Sequence, residues 1–228
     1  MYSKVIPLRG SSIDIHPNAR WQQNGLIIAG GNGKGNGINQ LSNPLGLYVD
    51  EDQTIYVADQ YNHRIVEWKW GATSGQVVAG GNGQGIVAGG NGKGNRLDQL
   101  DYPRYVFIDR DHSVYLSEYE NRRVMKWEKG AKQGIVVAGG QGQSLIELNK
   151  PEGVVVDQLG TVYVTDYGNH RIMRWPKGAT QGSVIIDGNG YGAQSNQLNG
   201  PVGLSFDRHG NLCVAEFGND RVQKFNIE

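Results

Sequence analysis

A repeated hairpin constrains the fold of this chain more than any other feature. Residues 162–175 read VYVTDYGNHRIMRW, and closely similar sequences stand at 55–68, 114–127 and 212–225. Each copy contains two stretches of alternating apolar and polar residues, joined by a short turn that carries Asn-x-Arg. Alternation with a period of two predicts strands, so the chain contains four antiparallel hairpins.

Further strands extend each hairpin into a larger sheet. An apolar stretch opening with proline precedes every copy, and an apolar run that ends near glycine follows the first three. The prolines stand at 44, 103, 151 and 201 and the matching aromatic residues at 68, 127, 175 and 225, so both series have the same spacing. Four strands per repeat of about 50 residues predict an all-β protein, a β-propeller of four-stranded antiparallel blades.

The strand count suggests how the ring closes. We predict an N-terminal extension at 1–20 and one propeller domain at 21–228, with blades at about 44–81, 103–140, 151–188 and 201–228. The last blade has only three predicted strands, whereas 25–30 resembles a fourth strand without a hairpin before it. Pairing of this N-terminal strand with the C-terminal blade would close a four-bladed ring and remove exposed sheet edges. The alternative is part of a five- or six-bladed ring.

Composition narrows the function classes. The chain has 22 basic and 22 acidic residues, so no overall charge draws it toward nucleic acid or an anionic membrane. A lone Cys213 excludes an intrachain disulfide framework and a cysteine zinc site. Neither a signal peptide nor an apolar run of membrane-spanning length is visible, and the compartment stays undefined.

The repeats resemble a known family. The sequence YVADQYNHRI followed by Trp68, with PLGLYVD before it, is similar to the NHL repeat, and the resemblance covers residues 21–228. It implies a β-propeller that serves as a recognition platform for protein or RNA, or as a sensor domain. One related branch is a metal-dependent amidating lyase. NHL rings usually have six blades, which differs from the four repeats of this chain.

An acid and an arginine recur five residues apart in every hairpin. We interpret these pairs as structural, because a pair repeated in every blade is expected to assemble the ring. The four pairs are Asp59 and Arg64, Glu118 and Arg123, Asp166 and Arg171, and Glu216 and Arg221. The accompanying asparagines are expected to form the turns, since Asn tolerates positive φ.

Positions where the repeats differ are better candidates for function. The residue after each strand-opening proline varies, and Tyr105 replaces a glycine in the second copy. These residues, with the aromatics of the hairpin loops, are expected to line the mouth of the central channel, where tyrosines and a few charges suit recognition. Packing of the loop aromatics against the next blade is the alternative. The candidate binding residues are Tyr61, Arg104, Tyr105, Tyr119, Glu152, Tyr167 and Phe217.

The residues predict no catalytic group, metal ligand or cofactor. His63 and His170 occupy equivalent positions in different blades and should diverge around the ring, and the glycine-rich loops lack the Gly-Lys-Ser/Thr of a phosphate-binding loop. We therefore expect a non-enzymatic scaffold that binds a protein or peptide. RNA is the alternative partner, and a metal-dependent lyase or hydrolase is a lesser one. A closed four-bladed ring would be a monomer, and otherwise we expect a homo-oligomer.

Overall fold

The computed structural model describes residues 27–50, 52–80, 92–140, 147–187, 190–207 and 209–227. Within these residues the chain forms four antiparallel blades, arranged as a β-propeller, which confirms the predicted fold class. The described part of the chain contains no helix long and apolar enough to cross a membrane.

Each blade is built from strands in chain order, the innermost strand first. Blade 1 contains β1 (Pro44–Val49), β2 (Ile55–Asp59), β3 (Arg64–Trp68) and β4 (Gln76–Gly80). Blade 2 contains β5 (Pro103–Ile108), β6 (Val114–Glu118), β7 (Arg123–Trp127) and β8 (Ile135–Gly139). Blade 3 contains β9 (Pro151–Val156), β10 (Val162–Asp166), β11 (Arg171–Trp175) and β12 (Ser183–Asp187). Blade 4 has three strands, β13 (Pro201–Phe206), β14 (Leu212–Glu216) and β15 (Arg221–Phe225).

The hairpin turns differ in one detail from the sequence-based expectation. The left-handed residue is the one after the asparagine, such as His63 with φ 50° and His170 with φ 54°. Asn62 instead donates from Nδ2 to the Asp59 carboxylate at 2.8 Å. The prediction that asparagine supplies the positive φ is therefore wrong, because its amide is used to bind the acid that ends the preceding strand.

Successive blades pack face to face through apolar side chains. Ile65 of blade 1 shares a buried cluster with Val106 and Trp127 of blade 2. Val124 of blade 2 packs in the same way with Val154 of blade 3, and a third cluster joins blades 3 and 4. The innermost strands contact each other in the order β1, β5, β9, β13.

The described part of the predicted closing strand, residues 27–30, does not pair with blade 4. Residues 27–30 form no strand, and among the described residues β15 pairs only with β14. Ala29 packs instead against the core of blade 1. Gly30 lies against Leu41, as Gly80 lies against Leu100, so the segment is held by the connection into blade 1. β13 and β1 do not pack together as the successive innermost strands do. Residues 1–26, including the predicted extension, lie outside the described residues.

Candidate binding site at the channel mouth

The acid–arginine pairs lie within single blades. The arginine Nε contacts the carboxylate at 2.7, 2.5, 2.7 and 2.7 Å in blades 1 to 4. The remaining guanidinium N–H groups donate to backbone carbonyls of the connection before the blade; those of Arg123, for example, reach Asn95, Arg96 and Gln99. Each pair thus fastens its blade to the preceding connection. Each carboxylate receives the Nε–H group of its arginine.

The pKa of the paired acid differs between blade 2 and blade 4. Burial raises the pKa of Glu118 despite the Arg123 guanidinium beside it. In blade 4 burial also acts to raise the pKa of Glu216, but hydrogen bonds from Arg221 and the Asn199 backbone outweigh it and the pKa is lowered. Blade 4 is the less covered end of the propeller.

A cluster of polar and aromatic side chains forms where the innermost strands of blades 2 and 3 begin. Arg104 is the second residue of β5 and Glu152 the second residue of β9, and their ion pair joins Nε to Oε1 at 3.6 Å. From the loop of blade 1, the Gln60 amide lies 3.1 Å from the Arg104 Nε, and with its oxygen turned toward Arg104 it accepts this N–H group. We call the set of Gln60, Arg104, Tyr105, Tyr119, Lys150 and Glu152 the mouth cluster.

Tyr119 provides the aromatic surface of the mouth cluster. The Arg104 guanidinium lies 4.2 Å from the centre of its ring and the Lys150 ammonium 5.5 Å from it. Both distances allow an attractive cation–π contact. Two cations therefore converge on one tyrosine at the opening of the channel.

Glu152 is the unusual member of the mouth cluster. The residue is 8% exposed, and its carboxylate has no hydrogen bond among the described residues, only the ion pair with Arg104. Burial raises its pKa to about 7, and the charge of Arg104 offsets only part of that effect. Burial and the nearby Glu152 also raise the pKa of Tyr105.

The structure brings together four of the seven predicted binding residues. Arg104, Tyr105, Tyr119 and Glu152 belong to the mouth cluster. Tyr61, Tyr167 and Phe217 make no described ring or polar side-chain contact with it. The Tyr61 ring meets Tyr102 edge-on at 6.1 Å, Tyr167 lies against Gly200, and Phe217 is 72% exposed.

Lys150 was not predicted, although the sequence contains a signal for it. The residue before each strand-opening proline differs in every repeat, being Asn43, Tyr102, Lys150 and Gly200. All four adopt positive φ between 48° and 58°. Variation at a position with a fixed, left-handed backbone marks a side chain that the fold leaves free to vary.

A cavity of about 570 Å³ opens at the opposite end of the blades, and no prediction covered it. Its wall includes Tyr48 and Phe107, whose ring centres are 5.7 Å apart, and the strand-joining turns. The aspartates of these turns are engaged locally; the Oδ1 atoms of Asp50 and Asp109 each accept a backbone N–H at 2.8 Å. Asp50 and Asp109 thus stabilise the turns that follow the innermost strands.

The histidines form no metal site in the described part of the chain. Nδ1 of His63 accepts the backbone N–H of Tyr102 at 3.2 Å, and Nδ1 of His170 accepts that of Gly200 at 2.9 Å. Both bonds join one blade to the next. Nowhere in the described ranges do three His, Cys, Asp or Glu side chains come together as metal ligands would.

Comparisons with solved structures support the fold. An auxiliary nutrient binding protein from Bacteroides thetaiotaomicron has a TM-score of 0.57 and 12% identity over 83% of this chain and 49% of its own. A gluconolactonase from Xanthomonas campestris has a TM-score of 0.58 and 16% identity, covering 81% of this chain and 58% of its own. A streptogramin B lyase has a TM-score of 0.53 and 12% identity, covering 81% and 54%.

This chain spans about half the length of these structures, which include both binding proteins and enzymes. No curated protein matches the sequence. The family model of the NHL repeat matches residues 41–68, 148–174 and 198–225, which are the hairpin regions of blades 1, 3 and 4. The chain is therefore a β-propeller that carries NHL repeats in blades 1, 3 and 4.

Proposed function

We propose that this propeller is a non-enzymatic recognition module that binds a protein or peptide segment bearing carboxylates at the channel mouth. One observation carries the proposal: Glu152 is buried beside Arg104 with no hydrogen bond. A buried carboxylate of this kind costs stability. The fold does not require it, since Leu45 and Val202 occupy the equivalent positions of blades 1 and 4.

The chemistry of the cluster indicates the kind of partner. Arg104 and Lys150 present two positive charges beside the Tyr119 ring, and an arginine on an aromatic ring is a typical anchor at interfaces. A carboxylate placed between the two cations would receive charge-assisted hydrogen bonds. The same carboxylate would replace Glu152 as a partner of Arg104.

Selection from a random peptide library tests this proposal. Immobilised wild-type chain is expected to enrich peptides with acidic residues, and the variant Arg104→Ala with Tyr119→Ala is expected to lose them while its circular dichroism stays that of a folded β protein. A matched control, Arg110→Ala with Tyr191→Ala, removes the same side chains away from the cluster and should retain binding. Equal enrichment on both variants would place binding elsewhere.

The same preparation distinguishes an RNA partner. Random single-stranded RNA that binds wild type, and releases steeply as salt increases, would replace the peptide proposal by an RNA-binding one.

A small-molecule role is the second candidate, and the cavity of about 570 Å³ at the opposite end favours it. The gluconolactonase and lyase neighbours give this candidate a concrete assay, hydrolysis of a sugar lactone by the purified chain, together with zinc and calcium analysis. Turnover above background that falls when Lys126, which lines the cavity, is replaced by Met would support it. Absence of turnover and of stoichiometric metal would leave the recognition module.

A further inference from the structure

The two ends of the row of blades expose apolar positions that are buried everywhere else. On the face of each blade that meets the next one, the residue after the paired arginine is 0% exposed in blades 1, 2 and 3, as Ile65, Val124 and Ile172. The equivalent Val222 of blade 4 is 69% exposed. We call this surface of blade 4 the rear face.

Blade 1 exposes the complementary set of apolar residues on its opposite surface. Leu47 of β1 is 67% exposed, whereas its equivalents Val106 and Val154 are 6% and 4% exposed under the preceding blade. Its neighbour Val49 is 49% exposed. We call this surface the front face. Exposed apolar surface of this extent is typical of an interaction site.

The innermost strands also lack, at blade 4, the close backbone contact to a following blade that blades 1 and 3 make. A Cβ on Gly46 would stand 2.4 Å from the Arg104 carbonyl oxygen of blade 2, and one on Gly153 would stand 2.8 Å from the Val202 carbonyl oxygen of blade 4. Glycine thus allows the close approach of blade 1 to blade 2 and of blade 3 to blade 4, whereas blade 2 has Tyr105 at the equivalent position. Gly203 keeps the residue type in blade 4, yet a Cβ there would meet only Ala215 of its own blade.

The polar groups at the two ends are complementary. In blades 1 and 3 a histidine after the turn asparagine accepts the N–H of the residue before the next proline. Blade 4 has Asp220 at that position, exposed and without a described hydrogen bond. At the other end the backbone N–H of Asn43, the equivalent donor, has no described acceptor. An aspartate oxygen can accept this bond as a histidine nitrogen does.

We propose that the chain associates head to tail with a second copy of itself, the rear face of blade 4 packing on the front face of blade 1. The interface repeats the blade–blade packing already present three times within the chain. Val222 packs on the second copy as Ile65 packs on blade 2, and the Asp220 carboxylate accepts the backbone N–H of Asn43. Such an interface is heterologous, so each copy offers two different halves.

Analytical ultracentrifugation of the 228-residue chain over a range of concentrations tests this association. Wild type is expected to form dimers or larger species, and Val222→Glu or Leu47→Glu alone should weaken association at least about 30-fold, because each places a charge in an apolar contact. Both residues are exposed in the single chain, so each variant should have the melting temperature of wild type in dilute solution. Ile135→Glu, at a residue 51% exposed in β8, is the matched control and should still associate.

Mixing the two variants gives the sharper result. The Val222→Glu copy retains a normal front face and the Leu47→Glu copy a normal rear face, so the mixture is expected to form a one-to-one heterodimer and nothing larger. A wild type that is monomeric at every concentration overturns the proposal. So does association that neither variant weakens, or a mixture that stays monomeric.

Discussion

At the scale of single residues, repetition separates two kinds of charged group. The acid–arginine pairs are present in all four blades, and each arginine also holds backbone carbonyls of its own connection. Arg104 and Glu152 occur once and have few partners. The repeated pairs stabilise the fold, and Arg104 and Glu152 are the candidates for binding a partner.

The pH dependence of stability should report on Glu152. Its pKa is raised from 4.5 to about 7, so this group contributes its full stability below pH 4.5 and loses it as pH rises through 7. Glu152→Gln removes the titrating group. Relative to wild type, the variant should therefore gain about 2 to 3 kcal/mol in free energy of unfolding between pH 4 and pH 8.

Urea denaturation at the two pH values measures this difference. Glu147→Gln changes an acid of the same type in the connection before blade 3 and serves as the control. A difference between wild type and Glu152→Gln that stays constant with pH would contradict the raised pKa.

At the scale of elements, Gly46 is required because β1 and β5 approach each other closely at this residue. Gly46→Ala should lower the free energy of unfolding by about 1 to 3 kcal/mol, because the added methyl group meets the Arg104 carbonyl oxygen. Gly203→Ala, at the equivalent position of blade 4, should cost much less, since its added methyl group meets only the Ala215 side chain at 3.2 Å. Chemical denaturation of dilute protein compares them, and equal losses would refute the close-approach explanation.

The strands could be predicted from sequence to a large extent, and the pairing of the N-terminal segment could not. Alternation and turn residues depend on local sequence, so the hairpins ending at Trp68, Trp127 and Trp175 were predicted where they stand. The segment 27–30 has strand-like composition, but composition does not specify which sheet edge it meets. Its position follows from packing of Gly30 on Leu41, a contact that strand alternation does not encode, although Gly80 and Leu100 repeat it.

The candidate site was predicted in part for a similar reason. Positions where the repeats differ identified Arg104 and Glu152, which the innermost strands then bring together. Sequence does not identify Lys150, because its contact with Tyr119 depends on a left-handed backbone conformation. Tyr167 was assigned to the same surface, yet it packs on Gly200, the alternative that sequence left open.

At the scale of the whole molecule, four blades stack through equivalent faces and leave one half of that interface at each end. The repeated residues specify stacking and carry little information about partners. The proposed binding site lies at one opening between blades 1, 2 and 3, whereas the proposed self-association uses the rear and front faces. Because these surfaces differ, changes at Arg104 should leave the mass in solution unaltered.

The most direct test is whether the repeated pairs stabilise the fold while the mouth pair does not. The melting temperatures of two double variants measure this. Arg123→Met with Glu118→Gln removes a repeated pair and leaves the carbonyls of Asn95, Arg96 and Gln99 without their donor. Arg104→Met with Glu152→Gln removes the mouth pair. At pH 8 the first variant should melt at least about 5 °C below wild type, and the second should melt at the same temperature or higher. A loss for the mouth pair as large as that for the repeated pair would contradict the account.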